Sequence, residues 1–231
     1  MLVGPPEALK TAFMKSLERY PTALLLSDLN TQQLAKIRQN VTSGTVKTVV
    51  ILDWQKLYER DKDTAANVEG NLRALASEGF TSASFEPDGI NRRVAHAVVM
   101  GALTNNLLEQ HYVRWQTSGF MRRFLFPSYV LKNPYVLSEA INSWEKIPLS
   151  DRFISPPANG EIPFNVTENE RKLLQAFTKY QYGISETHHT ICKIFAVLKW
   201  HYREMGKPKE AWRVITDFGE SLGKEGAVLE L

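Results

Sequence analysis

The residues best placed for chemistry stand near the start of the chain, in the run Gly4-Pro5-Pro6-Glu7-Ala8-Leu9-Lys10-Thr11-Ala12. A loop that binds phosphate needs backbone N–H groups at the start of a helix, a lysine that reaches the terminal phosphates, and a hydroxyl for magnesium. Gly4, Lys10 and Thr11 stand at the spacing G-x-x-x-x-G-K-[ST]. The departure is Leu9, where that pattern has glycine, and a side chain there restricts the loop or narrows the approach to the phosphates. Context favours a phosphate site, because the apolar stub Leu2-Val3 feeds the loop and a helical pattern follows it. The alternative is a helix N-terminus that binds nothing.

A second chemical group follows at the end of a strand. Thr48-Val49-Val50-Ile51-Leu52 is the strongest strand signal in the chain, a β-branched run between turn signals that predicts a central strand. Asp53 ends it, and with Thr11 it is the candidate to hold Mg²⁺ directly or through water. A nucleoside triphosphate, taken here as ATP, is the cofactor expected with the metal.

The elements that must position these groups alternate between short apolar runs and helical patterns, the signature of a parallel sheet with crossover helices. The predicted strands are Leu2-Val3, Ala23 to Leu26, Thr48 to Leu52, Thr81 to Phe85, Val94 to Leu103, and Arg123 to Leu131, the last an edge or bulged strand because of Pro127. Helices are expected over Lys10 to Tyr20, Thr31 to Asn40, Asn71 to Ser77 and Asn105 to Gln116, the last ended near Gly119; Asp61 to Asn67 reads as a polar, mobile stretch. From about Asn133 the pattern turns helical, with a loop at Ser155 to Gly160. Thr167 and Glu170 make a capping box for a helix from Glu168 to Tyr180; Ser185 opens another to Met205, and Pro208 stands where a third would begin. The predicted organisation is an α/β core over 1–132 and a mainly helical extension over 133–231.

Composition narrows the class. The chain has 231 residues, enough for one sizeable core with a smaller appendage, and its apolar fraction of 43% is ordinary. No apolar run approaches the roughly 20 residues that cross a bilayer, and Met1-Leu2-Val3 leads into a glycine turn rather than a signal peptide, so a cytoplasmic location away from membranes is expected. Cys192 is the single cysteine, which suits a reducing compartment. A net charge of +3 is too small for a nucleic-acid coat protein, so a DNA contact needs a local patch. Arg114, Arg122, Arg123 and Lys132, interleaved with Tyr112, Trp115, Phe120, Phe124 and Phe126, read first as a core strand beside a solvated basic face, with a DNA track as the alternative.

Taken together, Gly4 to Thr11, Leu25 to Leu34 and Val50 to Leu57 resemble RecA-type P-loop ATPases, especially the replicative hexameric helicases, over about residues 1–131. The resemblance implies a RecA-like fold, Mg²⁺-dependent hydrolysis of ATP, a homo-oligomer, and DNA as a partner, single-stranded DNA being favoured. In that family the strand after the loop ends in an acid that polarises the attacking water. Asp28 is similar in placement, with aspartate where glutamate is usual; its other reading is a helix cap beside Asn30 or Thr31. Thr104 and Asn105 stand where the family carries a polar sensor, and they also suit the capping of a helix from Asn106. Ser118 to Phe124 resembles phage and plasmid replication ATPases, in which an arginine at this place meets the γ-phosphate; Arg122 and Arg123 take that role by resemblance.

His188 and Cys192 stand at i,i+4, a metal-ligand spacing, but no second pair accompanies them and a packed helix face is the simpler reading. No Ser/His/Asp or paired-carboxylate arrangement offers a rival hydrolytic site. The competing function is a nucleotide-binding regulatory or structural subunit that hydrolyses little, a reading favoured by Leu9, by the missing glutamate after Asp53 and by the very short first strand.

Overall fold

The structure is a computed structural model that describes residues 1–6, 10–59, 62–81, 94–127, 161–178 and 184–229. These fall in two compact units, one drawn from Met1–Arg123 and the other from Phe124 onward.

The first unit is α/β. Strands β1 (Leu2–Val3), β2 (Ala23–Leu26), β3 (Thr48–Ile51) and β6 (Val98–Leu103) form a four-stranded sheet in the order β1-β6-β3-β2. Every pairing in it is parallel, and β3 is central as its sequence predicts. A parallel sheet buries both faces, and β3 does so through alternating side chains. Val50 packs with Met14 and Ala102, flanked by Phe13 and Leu17, while Val49 and Ile51, on the opposite face, are fully buried as well.

Helices α1 (Lys10–Lys15), α2 (Thr31–Thr42), α3 (Gln55–Tyr58), α4 (Lys62–Arg73) and α5 (Asn105–Thr117) link and flank these strands. A 3₁₀ turn, Ser16–Arg19, follows α1, so the expected single helix to Tyr20 is α-helical only to Lys15. Asn30 caps α2 with a reciprocal bond to Gln33, and Thr104 caps α5. After α5 the chain reverses at Gly119, whose φ of 74° lies in the left-handed region.

Three expectations are corrected here. The stretch expected to be polar and mobile from Asp61 to Asn67 is helical from Lys62 onward, because Ala65, Val68 and Leu72 recur at helical spacing and are buried. The run Val94 to Leu103 is two strands. Val94–Ala95 (β5) pairs antiparallel with Phe80–Thr81 (β4), and only Val98–Leu103 joins the main sheet. Residues Arg123 to Pro127 are not a strand: Met121 to Arg123 turn, and Arg123 N–H bonds back to Phe120 O at 3.1 Å. The remainder of that expected strand, like residues 82–85, Lys132 and the loop Ser155 to Gly160, lies outside the described residues.

The second unit is helical where it is described, with α6 (Glu168–Gln175), α7 (Ile184–Glu204) and α8 (Glu210–Leu229). The capping box of Thr167 and Glu170 is formed. Glu170 also accepts from Lys199 of α7 at 2.9 Å. Ile191, Phe195, Leu174, Ala211, Ile215 and Leu222 form the core of this unit. The third helix begins at Glu210, just past Pro208. No helix among the described residues is long and apolar enough to cross a membrane.

Candidate functional site

Because all four main strands run parallel, their carboxyl ends lie along one edge of the sheet, where open α/β sheets place ligand sites. A cleft of about 430 Å³ occupies that edge. Pro6 and the helix residues Lys10 and Thr11 come from the β1 side, Ser27 follows β2, Leu52 and Asp53 follow β3, Ala102 and Leu103 end β6, and Thr104 follows it. Lys10, Thr11, Asp53 and Thr104, all singled out from sequence, therefore line one space. Its loop side is tied to the sheet by Gly4 N–H, which donates to Leu103 O at 3.2 Å.

Lys10 is buried to 8% exposure, and its ammonium donates to Gly4 O at 2.8 Å and to Pro5 O. Burial holds its pKa below the ordinary lysine value. The two bonds use two of the three ammonium donors. Among the described residues no carboxylate lies within ion-pair distance of it.

Asp53 is half-exposed, its Oδ1 accepting from Gln55 N–H at 3.1 Å and its Oδ2 standing 3.8 Å from Lys56 Nζ. Thr104 Oγ1 accepts from Leu107 N–H at 3.2 Å, so its hydroxyl serves as the helix cap while it lines the cleft. The helix starts at Asn105, as its pattern predicts, with Thr104 as the cap. Asn105 is not among the lining residues, and its Oδ1 has no hydrogen-bond partner among the described residues. Asp28 is also absent from the lining: its carboxylate accepts from Leu29 N–H at 2.7 Å, and the cap expected of it belongs to Asn30. Gly4 is buried, Pro5 exposed and Ala12 half-buried, whereas Glu7, Ala8 and Leu9 lie outside the described residues.

Arg122 and Arg123 do not line the cleft. Arg123 donates to Ser77 Oγ at 2.9 Å and to Gly119 O at 3.0 Å, which fastens the turn after α5 to the π-helical turn Ala74–Glu78 that follows α4. Of the interleaved aromatics Tyr112 is half-buried and the other four are core. Trp115, Phe120, Phe124 and Phe126 are all buried, which removes them as a surface on which bases could stack.

Two cations in the cleft were not foreseen. Lys15 stands one helical turn beyond Thr11, and Lys56 one turn beyond Asp53. Helical spacing from the two expected residues could have pointed to both. The described lining thus carries Lys10, Lys15 and Lys56 against the single carboxylate of Asp53, an excess of positive charge that suits a polyanion.

Helices α3, α4 and α5 share a network with no signal in the sequence. Glu69 of α4, almost fully buried, accepts from Tyr58 Oη at 2.6 Å, from Trp115 Nε1 at 2.9 Å and from Arg114 at 2.8 Å. Burial first, and then the adjacent Glu69 carboxylate, push the Tyr58 phenol well above its ordinary pKa. His111 stacks on Tyr58 at 4.0 Å and on Trp115 at 5.5 Å. Since α3 follows Asp53 and α5 follows Thr104, Glu69 joins the two helices that leave the cleft.

In the second unit, His188 Nε2 donates to Arg171 O at 2.9 Å and lies 3.5 Å from the Sγ of Cys192, which is buried. Among the described residues no group of three or more His, Cys, Asp or Glu side chains is placed to hold a metal. Comparison of the chain with protein-family models, with curated proteins and with solved structures finds no match.

Proposed function

We propose that this chain is a RecA-like P-loop ATPase that binds and hydrolyses ATP with Mg²⁺. The observation that carries the reading is the meeting of Lys10, Thr11, Asp53 and Thr104 in one cleft at the carboxyl ends of parallel strands. A parallel sheet flanked by helices is compatible with that fold.

The residues fit the group expected beside ATP. Mg²⁺ keeps several waters and takes one or two protein oxygens together with phosphate oxygens, so the Thr11 hydroxyl and the Asp53 carboxylate are a sufficient protein contribution. When bound, the ion neutralises charge on the phosphate oxygens. Lys10 has one donor left for a phosphate oxygen, and Lys15 and Lys56 add positive charge to the lining. Thr104, fixed as a cap, presents its position rigidly to the ligand. DNA association and oligomer formation enter by resemblance to replicative helicases, with Arg122 as the exposed arginine able to reach a neighbouring subunit.

One observation favours the second reading, a nucleotide-binding subunit that turns over little. Asp53 is the only carboxylate among the described lining residues, and Asp28, the candidate to orient water, stands outside the lining. ATP turnover measured with and without single-stranded DNA separates the two. Stimulation by DNA that disappears in Lys10→Met supports the motor, and tight ATP binding without turnover supports the subunit.

A further inference from the structure

We propose that Lys56 is a phosphate-binding residue of the cleft and makes it selective for polyphosphates over monophosphates; this rests on the nucleotide-binding reading above. Its position comes from α3, which begins immediately beyond the Asp53-Trp54 corner and brings the Lys56 side chain into the lining together with Asp53.

Among the described residues Lys56 has one ion pair, and it is weak. Its ammonium stands 3.8 Å from Asp53 Oδ2, the limit of an ion pair, and the two side chains are 51% and 44% exposed. Such pairs are held by little energy and exchange partners readily. The Asp53 carboxylate is meanwhile anchored on its other oxygen by Gln55 N–H, so Lys56 can leave without releasing the acid.

A chain of phosphates satisfies this arrangement better than a single phosphate does. Lys10 sits beyond β1, with its stem buried, and reaches one phosphate; Lys56 enters the cleft from beyond β3, which β6 separates from β1 in the sheet. A ligand with charge at one point meets Lys10 alone, whereas a diphosphate or triphosphate extends its charge toward Lys56. As Lys56 turns to the phosphates, Asp53 loses its cation and is left to face the metal that accompanies them. Lys56 thereby couples arrival of the polyphosphate to exposure of the acid that holds the metal.

The test is equilibrium binding of ATP, ADP and AMP, each with Mg²⁺, to the wild-type chain, Lys56→Gln, Lys56→Arg and Lys47→Gln. Lys47 is exposed and precedes β3, at the strand end opposite the cleft, so its substitution makes the same change of net charge away from the site. The expected result is an affinity for ATP lowered about fivefold or more in Lys56→Gln, with AMP changed far less, and with Lys56→Arg close to wild type. ATP affinity unchanged in Lys56→Gln, or lowered as much in Lys47→Gln, overturns the assignment while leaving nucleotide binding in place. A wild-type chain that binds none of the three nucleotides removes the nucleotide reading, and this proposal with it.

Discussion

Trp54 and Gly101 occupy space that only a glycine leaves open: a Cβ on Gly101 would stand 1.8 Å from Trp54 Nε1. Trp54 follows Asp53 directly, and Gly101 precedes the lining residues Ala102, Leu103 and Thr104, so this contact sets two walls of the cleft against each other. Gly101→Ala forces the fully buried indole to shift, and overpacking of this kind costs about 1–3 kcal/mol. Denaturant unfolding of the variant should show that loss, and an unchanged midpoint would mean that the indole relaxes freely.

Glu69→Gln tests the buried network. Gln keeps the shape but carries one acceptor oxygen, so either Arg114 or the pair Tyr58 and Trp115 is left facing an NH₂ group. The expected loss of stability is about 1–3 kcal/mol, read by the same unfolding measurement. Equal stability would place the three donors in contact with water rather than with the acid.

His111 gives a pH dependence whose sign is fixed. Burial, and secondarily the charge of Arg114, lower its pKa below the ordinary 6.5, with Glu69 opposing them. The folded state therefore favours neutral His111, and its contribution to stability is complete above about pH 6.5 and is lost as pH falls through the folded value. Comparing unfolding free energies at pH 8 and at about pH 5, His111→Gln should reduce the decline seen in the wild type; an identical decline in both would assign it to other groups.

Arg122 and Arg123 should separate cleanly. Arg123→Ala removes the bonds to Ser77 and Gly119 and should lower stability by about 1 kcal/mol, whereas Arg122→Ala on the exposed side should leave it unchanged. If Arg122 serves a neighbour's γ-phosphate, its loss lowers turnover by about 10³ or more with ATP binding retained. Mixing Arg122→Ala with Lys10→Met chains then restores activity, because an intact arginine can face an intact loop. No recovery in mixtures shown to co-assemble counts against that role.

Local patterns were legible in the sequence and distant pairings were not. The β-branched run Thr48 to Ile51, the Thr167–Glu170 box and the helix from Asn105 each carry their signal within a few residues, and each formed. Helix α4 was obscured because Lys62, Asp63, Asn67 and Asn71 dominate its composition while Ala65, Val68 and Leu72 supply its buried face. Glu69 gave no sign at all, since its partners Arg114 and Trp115 stand 45 and 46 residues away and only the fold unites them. In the site, Lys10, Thr11 and Asp53 were readable from motif spacing, whereas Lys56 depended on the chain turning at Trp54 to face its own acid.

Calorimetric titration of Mg²⁺ and ATP into the wild-type chain and Lys10→Met tests the central claim most directly, because methionine keeps the apolar stem that is buried at this position and removes only the charge and its donors. Saturable binding in the wild type, weakened about tenfold or more in a Lys10→Met chain that unfolds at the wild-type midpoint, is the predicted result. No saturable binding by the wild type, or equal affinity in the two chains, would contradict the account of the cleft as a nucleotide site.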